Sequence, residues 1–213
     1  MKIYAISGLG ADKRVFDYLD IEHELIAVDW IVPEKKEDIK TYSKRLINEY
    51  KINKEIEFGL LGVSFGGLVA IEMSKILNPK FTLLISSVET RNELSWIVRL
   101  VGKLKLIELL PKNVFNPPKF IAHYMFGTKR KKLLNSILDD ADEMFTKWAV
   151  RELLNWKNES KIVNLIKIGG TNDKMLPPKG DHVILVEKGE HFMIVDKGVE
   201  ISDIINREVK LYL

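Results

Sequence analysis

The chain has 213 residues, 46% of them hydrophobic and 30% charged, with thirteen Gly, seven Pro and no Cys. This is the make-up of one globular domain with a real core; it excludes a disordered tail, a low-complexity chain and a disulfide mini-protein, and with them thiolate metal sites and cysteine nucleophiles. The formal net charge of +3 gives no support to nucleic-acid binding, and none is expected.

In chain order, the apolar run Ile3 to Ile6 predicts a strand, stopped by a loop holding Gly8 and Gly10. That run is too short for the core of a secretory signal, so a cytoplasmic chain is expected. Arg14 to Leu19 has room for one or two helical turns, Leu25 to Val28 repeats the strand signature, and Lys36 to Tyr50 carries Ile39, Tyr42, Leu46, Ile47 and Tyr50 at helical spacing. Phe58 to Val63 reads as a strand, Leu68 to Leu77 as a helix ended by Asn78-Pro79, and Phe81 to Ile85 as a strand. Near the end, Asn164 to Ile168 and His182 to Val186 read as strands, and a helix runs from about Val199 to Leu211. Continuous apolar strands alternating with helices predict an α/β fold, a parallel sheet of about six strands with helices on both faces. The run Phe58 to Ile71 is 14 residues long and holds four glycines, short of the roughly 20 residues a membrane span needs.

Residues 89–160 break the rhythm and read as a helical insertion, leaving a core of 1–88 and 161–213. Leu94 to Leu110 is apolar nearly all round, through Trp96, Ile97, Leu100, Val101, Leu104, Ile107 and Leu109, so a helix there is buried or covers an apolar cleft. Further on, apolar residues from Leu133 to Ala149 recur at helical spacing. Between Arg91 and Lys132 ten Lys or Arg face only Glu93 and Glu108, a balance of +8 that leaves −5 for the rest. The run Lys129-Arg130-Lys131-Lys132 reads as a solvated face, with recruitment of an anionic substrate or a membrane surface as the alternative.

Chemistry concentrates in Gly62-Val63-Ser64-Phe65-Gly66-Gly67, where a strand turns directly into a helix. A hydroxyl at such a bend projects from the sheet edge beside free helix N–H groups, and glycines at 62 and 66 let strand and helix approach. A serine nucleophile needs a base, usually a His held by a carboxylate. Of the four His, His23, His123 and His182 read as structural, whereas His191 follows the last strand in Gly189-Glu190-His191-Phe192. Asp173 lies in Gly170-Thr171-Asn172-Asp173, leaving the strand before it, so Asp173, His191 and Ser64 emerge on one edge of a parallel sheet. Glu89, after the strand Phe81 to Ile85, is the alternative acid.

The order Ser64, Asp173, His191, with the elbow, G-x-x-D-x-x-x-P around Asp173 and G-x-H around His191, resembles the α/β-hydrolase superfamily over nearly the whole chain. The resemblance implies that the insertion is a helical cap. It also implies that Ser7-Gly8-Leu9-Gly10 is the oxyanion loop, with Ser7 where His is usual, and that the Leu9 and Phe65 backbone N–H groups hold the oxyanion. By the same comparison the strands that often precede the first parallel strand are expected to be absent.

The expected function is a serine hydrolase, cleaving an ester or thioester with an apolar acyl or aromatic group through an acyl-enzyme. A carbon–carbon bond hydrolase, lyase or acyltransferase on the same triad and a non-catalytic receptor of the same fold remain alternatives. The expected pocket wall includes Trp96, Phe115, Tyr124, Phe126 and Trp148, and Arg14 is a candidate for a substrate carboxylate or phosphate. No cofactor and no metal are expected, since the chain has neither Cys nor an H-x-x-x-H pattern.

Overall fold

A computed structural model describes residues 1–103 and 117–212. Six strands, β1 (Lys2–Ile6), β2 (Glu24–Val28), β3 (Phe58–Val63), β4 (Phe81–Ile85), β5 (Leu165–Gly170) and β6 (Val183–Val186), form one sheet in the order β2-β1-β3-β4-β5-β6. Every neighbouring pair is parallel, from Lys2 opposite Glu24 and Phe58 at one side to Gly170 opposite Val186 at the other. The chain steps from β1 out to β2, then back across to β3, so the direction of winding reverses between β1 and β3. Loops leaving these two strands diverge to opposite faces and open a crevice at their carboxyl ends.

Alternation within the strands feeds two cores. Leu61, Val63, Leu83 and Ile85 join one apolar cluster, while Phe58, Leu60 and Leu84 join the other, as the two-residue period of a strand requires. The first core is closed by a 3-10 helix (Lys13–Tyr18) and by the carboxyl-terminal helices, and the second by α1 (Ile39–Glu49) and α2 (Phe65–Leu77).

Helix α1 begins at Ile39, later than the spacing predicts, because Asp38 caps it by accepting the Thr41 N–H at 2.8 Å, and Lys36 sits at φ 62°, outside helical geometry. Helix α2 begins three residues earlier than predicted, at Phe65, immediately after the bend.

Between β4 and β5 run α3 (Trp96–Lys103), α4 (Lys119–Phe126), α5 (Lys131–Asp140) and α6 (Glu143–Asn155). The helical spacing from Leu133 to Ala149 is broken at Ala141, where Asp142 starts α6 by accepting the Phe145 N–H at 2.6 Å. The expected helix through Leu104, Ile107 and Leu109 extends outside the described residues, as does Phe115. Leu134 and Ile137 of α5 belong to the first core and Phe145, Trp148 and Ala149 of α6 to the second, so the inserted helices straddle the sheet. After β6 come α7 (Met193–Asp196) and α8 (Gly198–Val209).

The roots of the insertion are tied together. Arg91 N–H donates to Asn158 O at 2.7 Å, Asn158 Nδ2 donates to Glu89 O at 2.8 Å, and Ile162 N–H donates to Glu89 Oε1 at 2.9 Å. Glu93 accepts the Glu89 N–H and pairs at 2.8 Å with Lys167 of β5, whose side chain is 5% exposed. A buried ammonium left without its carboxylate is strongly destabilising. Glu93→Ala is therefore expected to lower unfolding free energy by about 3 kcal/mol in a urea titration, and Glu93→Leu with Lys167→Met to recover most of it.

Candidate active site

Ser64 links β3 to α2 with no residue between them. Its φ of 52° and ψ of −121° lie where a non-glycine residue is strained by roughly 1–3 kcal/mol, so the surrounding packing holds it there. A Cβ on Gly62 would stand 2.5 Å from Gly67 Cα, and one on Gly66 would run into the carbonyl oxygens of Ser7 and Ile6. Glycine at both places lets strand, helix and the end of β1 touch backbone to backbone.

His191 lies between β6 and α7, and Asp173 in the loop after β5. These loops are joined by Asn172 N–H to Gly189 O at 2.9 Å and Thr171 N–H to Val186 O at 3.1 Å. His191 Nε2 is 2.9 Å from Ser64 Oγ, and its Nδ1 is 2.8 Å and 3.0 Å from the two carboxylate oxygens of Asp173. Asp173 Oδ1 also accepts the N–H groups of Met175 and Leu176, each at 2.9 Å. An ionised carboxylate only accepts, so Nδ1 carries the proton and Nε2 is left to accept from the serine hydroxyl. His191 and Asp173 are buried, at 3% and 4% exposure.

The loop from Ser7 to Ala11 passes beside the serine. A Cβ on Gly8 would lie 3.3 Å from Ser64 Cβ. Ser7 Oγ donates to Ala11 O at 2.8 Å and Ala11 N–H to Gly8 O at 3.0 Å, so Ser7 closes this loop upon itself. Leu9 and Phe65 line the cavity, and their backbone N–H groups donate to no acceptor among the described residues.

Ser64 and His191 open into a cavity of about 620 Å³ whose walls are mainly apolar. Val98 and Val101 of α3, Met125 and Phe126 of α4, Leu138 of α5 and Val150 of α6 contribute from the insertion. Phe126 packs edge-to-face on His191 with ring centroids 5.6 Å apart.

Among the described residues, the other expected wall residues lie elsewhere. Trp96 and Tyr124 are 66% and 70% exposed and do not line the cavity, because they occupy outer faces of α3 and α4 while Val98, Val101, Met125 and Phe126 face inward. Trp148 is buried in the second core, 4.3 Å from the Tyr42 ring, and donates through Nε1 to Glu37 O. Arg14 pairs with Asp12 and Asp140 and lies outside the lining. Its hydrogen bond to Asp12 holds that carboxyl below the usual range.

Glu89 carries the root contacts already described, and His191 Nδ1 takes its carboxylate partner from Asp173. His123 Nε2 meets Asn135 at 2.8 Å, joining α4 to α5 outside the cavity lining. Among the described residues there is no cluster of three or more His, Asp or Glu able to hold a metal ion, and no helix long and apolar enough to cross a membrane.

A six-stranded parallel sheet with these crossovers, bearing a serine at a strand-to-helix elbow at its switch point, defines the α/β-hydrolase fold, and the chain has that fold. Across 100% of its length it is similar to a thermophilic esterase from Thermogutta terrifontis, with a TM-score of 0.74, 13% identity and 90% of that chain covered. MenH from S. aureus gives 0.71 at 16% identity, covering 100% of this chain and 94% of that one. A meta-cleavage product hydrolase from Pseudomonas fluorescens IP01 gives 0.70 at 13%, covering 100% and 92%. No family model matches the chain, and no curated protein matches it in sequence.

Exchanging the two candidate acids separates their roles. Asp173→Asn is expected to keep the fold but to cut kcat on an aryl ester by about 10³- to 10⁴-fold, because an amide favours the wrong imidazole tautomer. Glu89→Gln is expected to leave kcat within about twofold and to lower the melting temperature instead. Steady-state kinetics and a thermal melt of both variants check this pair.

Proposed function

We propose that the protein is a serine hydrolase acting on carboxylic esters or thioesters with an apolar acyl or aromatic group. The observation that carries this reading is the unbroken hydrogen-bonded chain Ser64, His191, Asp173 at the floor of an apolar cavity. Ser64 Oγ attacks the acyl carbon as His191 Nε2 takes its proton. The developing oxyanion is held by the Leu9 and Phe65 N–H groups, aided by the amino end of α2. His191 returns the proton to the departing alcohol or thiol. It then deprotonates a water molecule that attacks the acyl-enzyme, and the proton passes back to Ser64 as the acid leaves. Asp173 orients the ring and stabilises its cation. In this reading α3 to α6 are a cap that excludes water and walls the acyl group.

A passive receptor of the same fold is disfavoured by the acid. Asp173 is a buried carboxylate whose side chain faces His191, an arrangement that costs desolvation and does nothing for a ligand in the cavity.

A fluorophosphonate probe is expected to label the wild type and not Ser64→Ala, with His191→Ala labelled at least about 10²-fold more slowly. Persistent labelling of Ser64→Ala, read by mass spectrometry of the modified peptide, would falsify the nucleophile assignment. For the cavity, Val150→Phe is expected to depress kcat/KM for long acyl chains more than for acetate in a p-nitrophenyl ester series, because added volume takes up apolar space that only the longer chain fills. Equal losses along the series would remove the cavity from the acyl-binding role.

A further inference from the structure

We infer that Ser87 is a positioning residue for the oxyanion hole, aiming the Phe65 amide through the carbonyl at the other side of the same peptide bond. The inference rests on the acyl-transfer reading above, in which that amide binds the oxyanion. Ser87 Oγ donates to Ser64 O at 2.7 Å. The peptide from Ser64 to Phe65 is planar and trans, so its N–H points opposite to its C=O. Whatever fixes the Ser64 carbonyl therefore fixes the direction of the Phe65 N–H. A hydrogen bond to the carbonyl also polarises the amide and strengthens its N–H as a donor.

The helix does not need this bond. Ser64 O already accepts the Gly67 N–H at 2.9 Å, so the first turn of α2 is closed without Ser87. The chain also makes two local departures that bring this hydroxyl into place. Ser86, the residue after β4, holds a φ of 47°, strained for a side chain, and is 1% exposed, while its own Oγ has no partner. Its backbone N–H still bonds Ile168 O at 3.0 Å, so the sheet ends in register and the chain then turns toward α2. There it meets Gly67, where a Cβ would collide with Ser87 Oγ. Glycine inside a helix costs about 1 kcal/mol against alanine, and here it makes room for one hydroxyl. Ser87 does not line the cavity, so its effect on the reaction passes through the Ser64–Phe65 peptide.

The test is Ser87→Ala, with aryl-ester kinetics and the affinity of an alkylboronic acid, which adds Ser64 Oγ to give a tetrahedral adduct with an oxygen in the hole. Losing a hole donor outright costs 10²- to 10³-fold, so losing its aim is expected to lower kcat about tenfold. KM should stay within about twofold and boronate affinity should fall by the same factor as kcat. Unchanged kcat and boronate affinity overturn the inference. So does a rise in KM that accounts for the whole loss, since a merely structural defect disturbs ground-state binding as well. A wild type that neither turns over esters nor binds the boronate removes the acyl-transfer reading itself, and an active wild type with an indifferent Ser87→Ala removes this inference alone.

Discussion

Three stretches of backbone meet at Ser64 without a side chain between them: the end of β1, the end of β3 and the start of α2. Gly66 lies against the carbonyls of Ile6 and Ser7, and Gly62 against the backbone of Gly67. This close approach allows a strand to become a helix in one residue, and it forces that residue into a left-handed conformation. It also brings the loop of Gly8 and Leu9 beside the serine, because that loop begins where β1 touches α2. Candidate nucleophile and candidate oxyanion donors are thus products of one packing constraint, set by residues with no functional groups.

The second half of the site obeys a similar constraint at the other side of the sheet. Gly170 ends β5 against the backbone of Gly189, and hydrogen bonds between the two loops hold Asp173 and His191 at fixed separation. The imidazole spans from this pair to the elbow, with Phe126 against its ring. The Phe192 N–H donates to Phe126 O at 3.1 Å, so the His191 loop is attached to α4 as well as to the core. Geometry at His191 therefore depends on how α4 is seated.

Much of this arrangement was legible in the sequence because its causes are local. Glycine spacing around Ser64, and loops that must leave the carboxyl ends of parallel strands, depend on neighbours along the chain and on one topological rule. The meeting of Ser64, Asp173 and His191 follows from them, and the six strands follow from their short, continuous apolar runs. The cavity walls were not legible in the same way. Trp96, Tyr124 and Trp148 are large aromatics in the right segment, but which side of a helix faces the cavity depends on how it packs on partners distant in sequence. Trp148 turned to the second core, and smaller residues such as Ala122 and Val150 line the cavity instead. The division between α5 and α6 was hidden for a related reason, since apolar spacing continues across Ala141 while the backbone follows the cap at Asp142.

The knot of Glu89, Arg91, Asn158 and Ile162 brings the two roots of the inserted helices side by side before any of those helices begins. Residues between the knot's two sides form an excursion whose ends are already closed, and the entropy of such a closure changes only slowly with its length. The excursion's length can therefore vary at little entropic cost, but its contents are constrained, because Leu134, Ile137, Phe145 and Trp148 fill the sheet's two cores and Phe126 O holds the His191 loop. Side chains that face the cavity without joining either core, such as Val101, Met125 and Val150, are the ones whose exchange reshapes the space above Ser64 while the backbone beneath keeps its form.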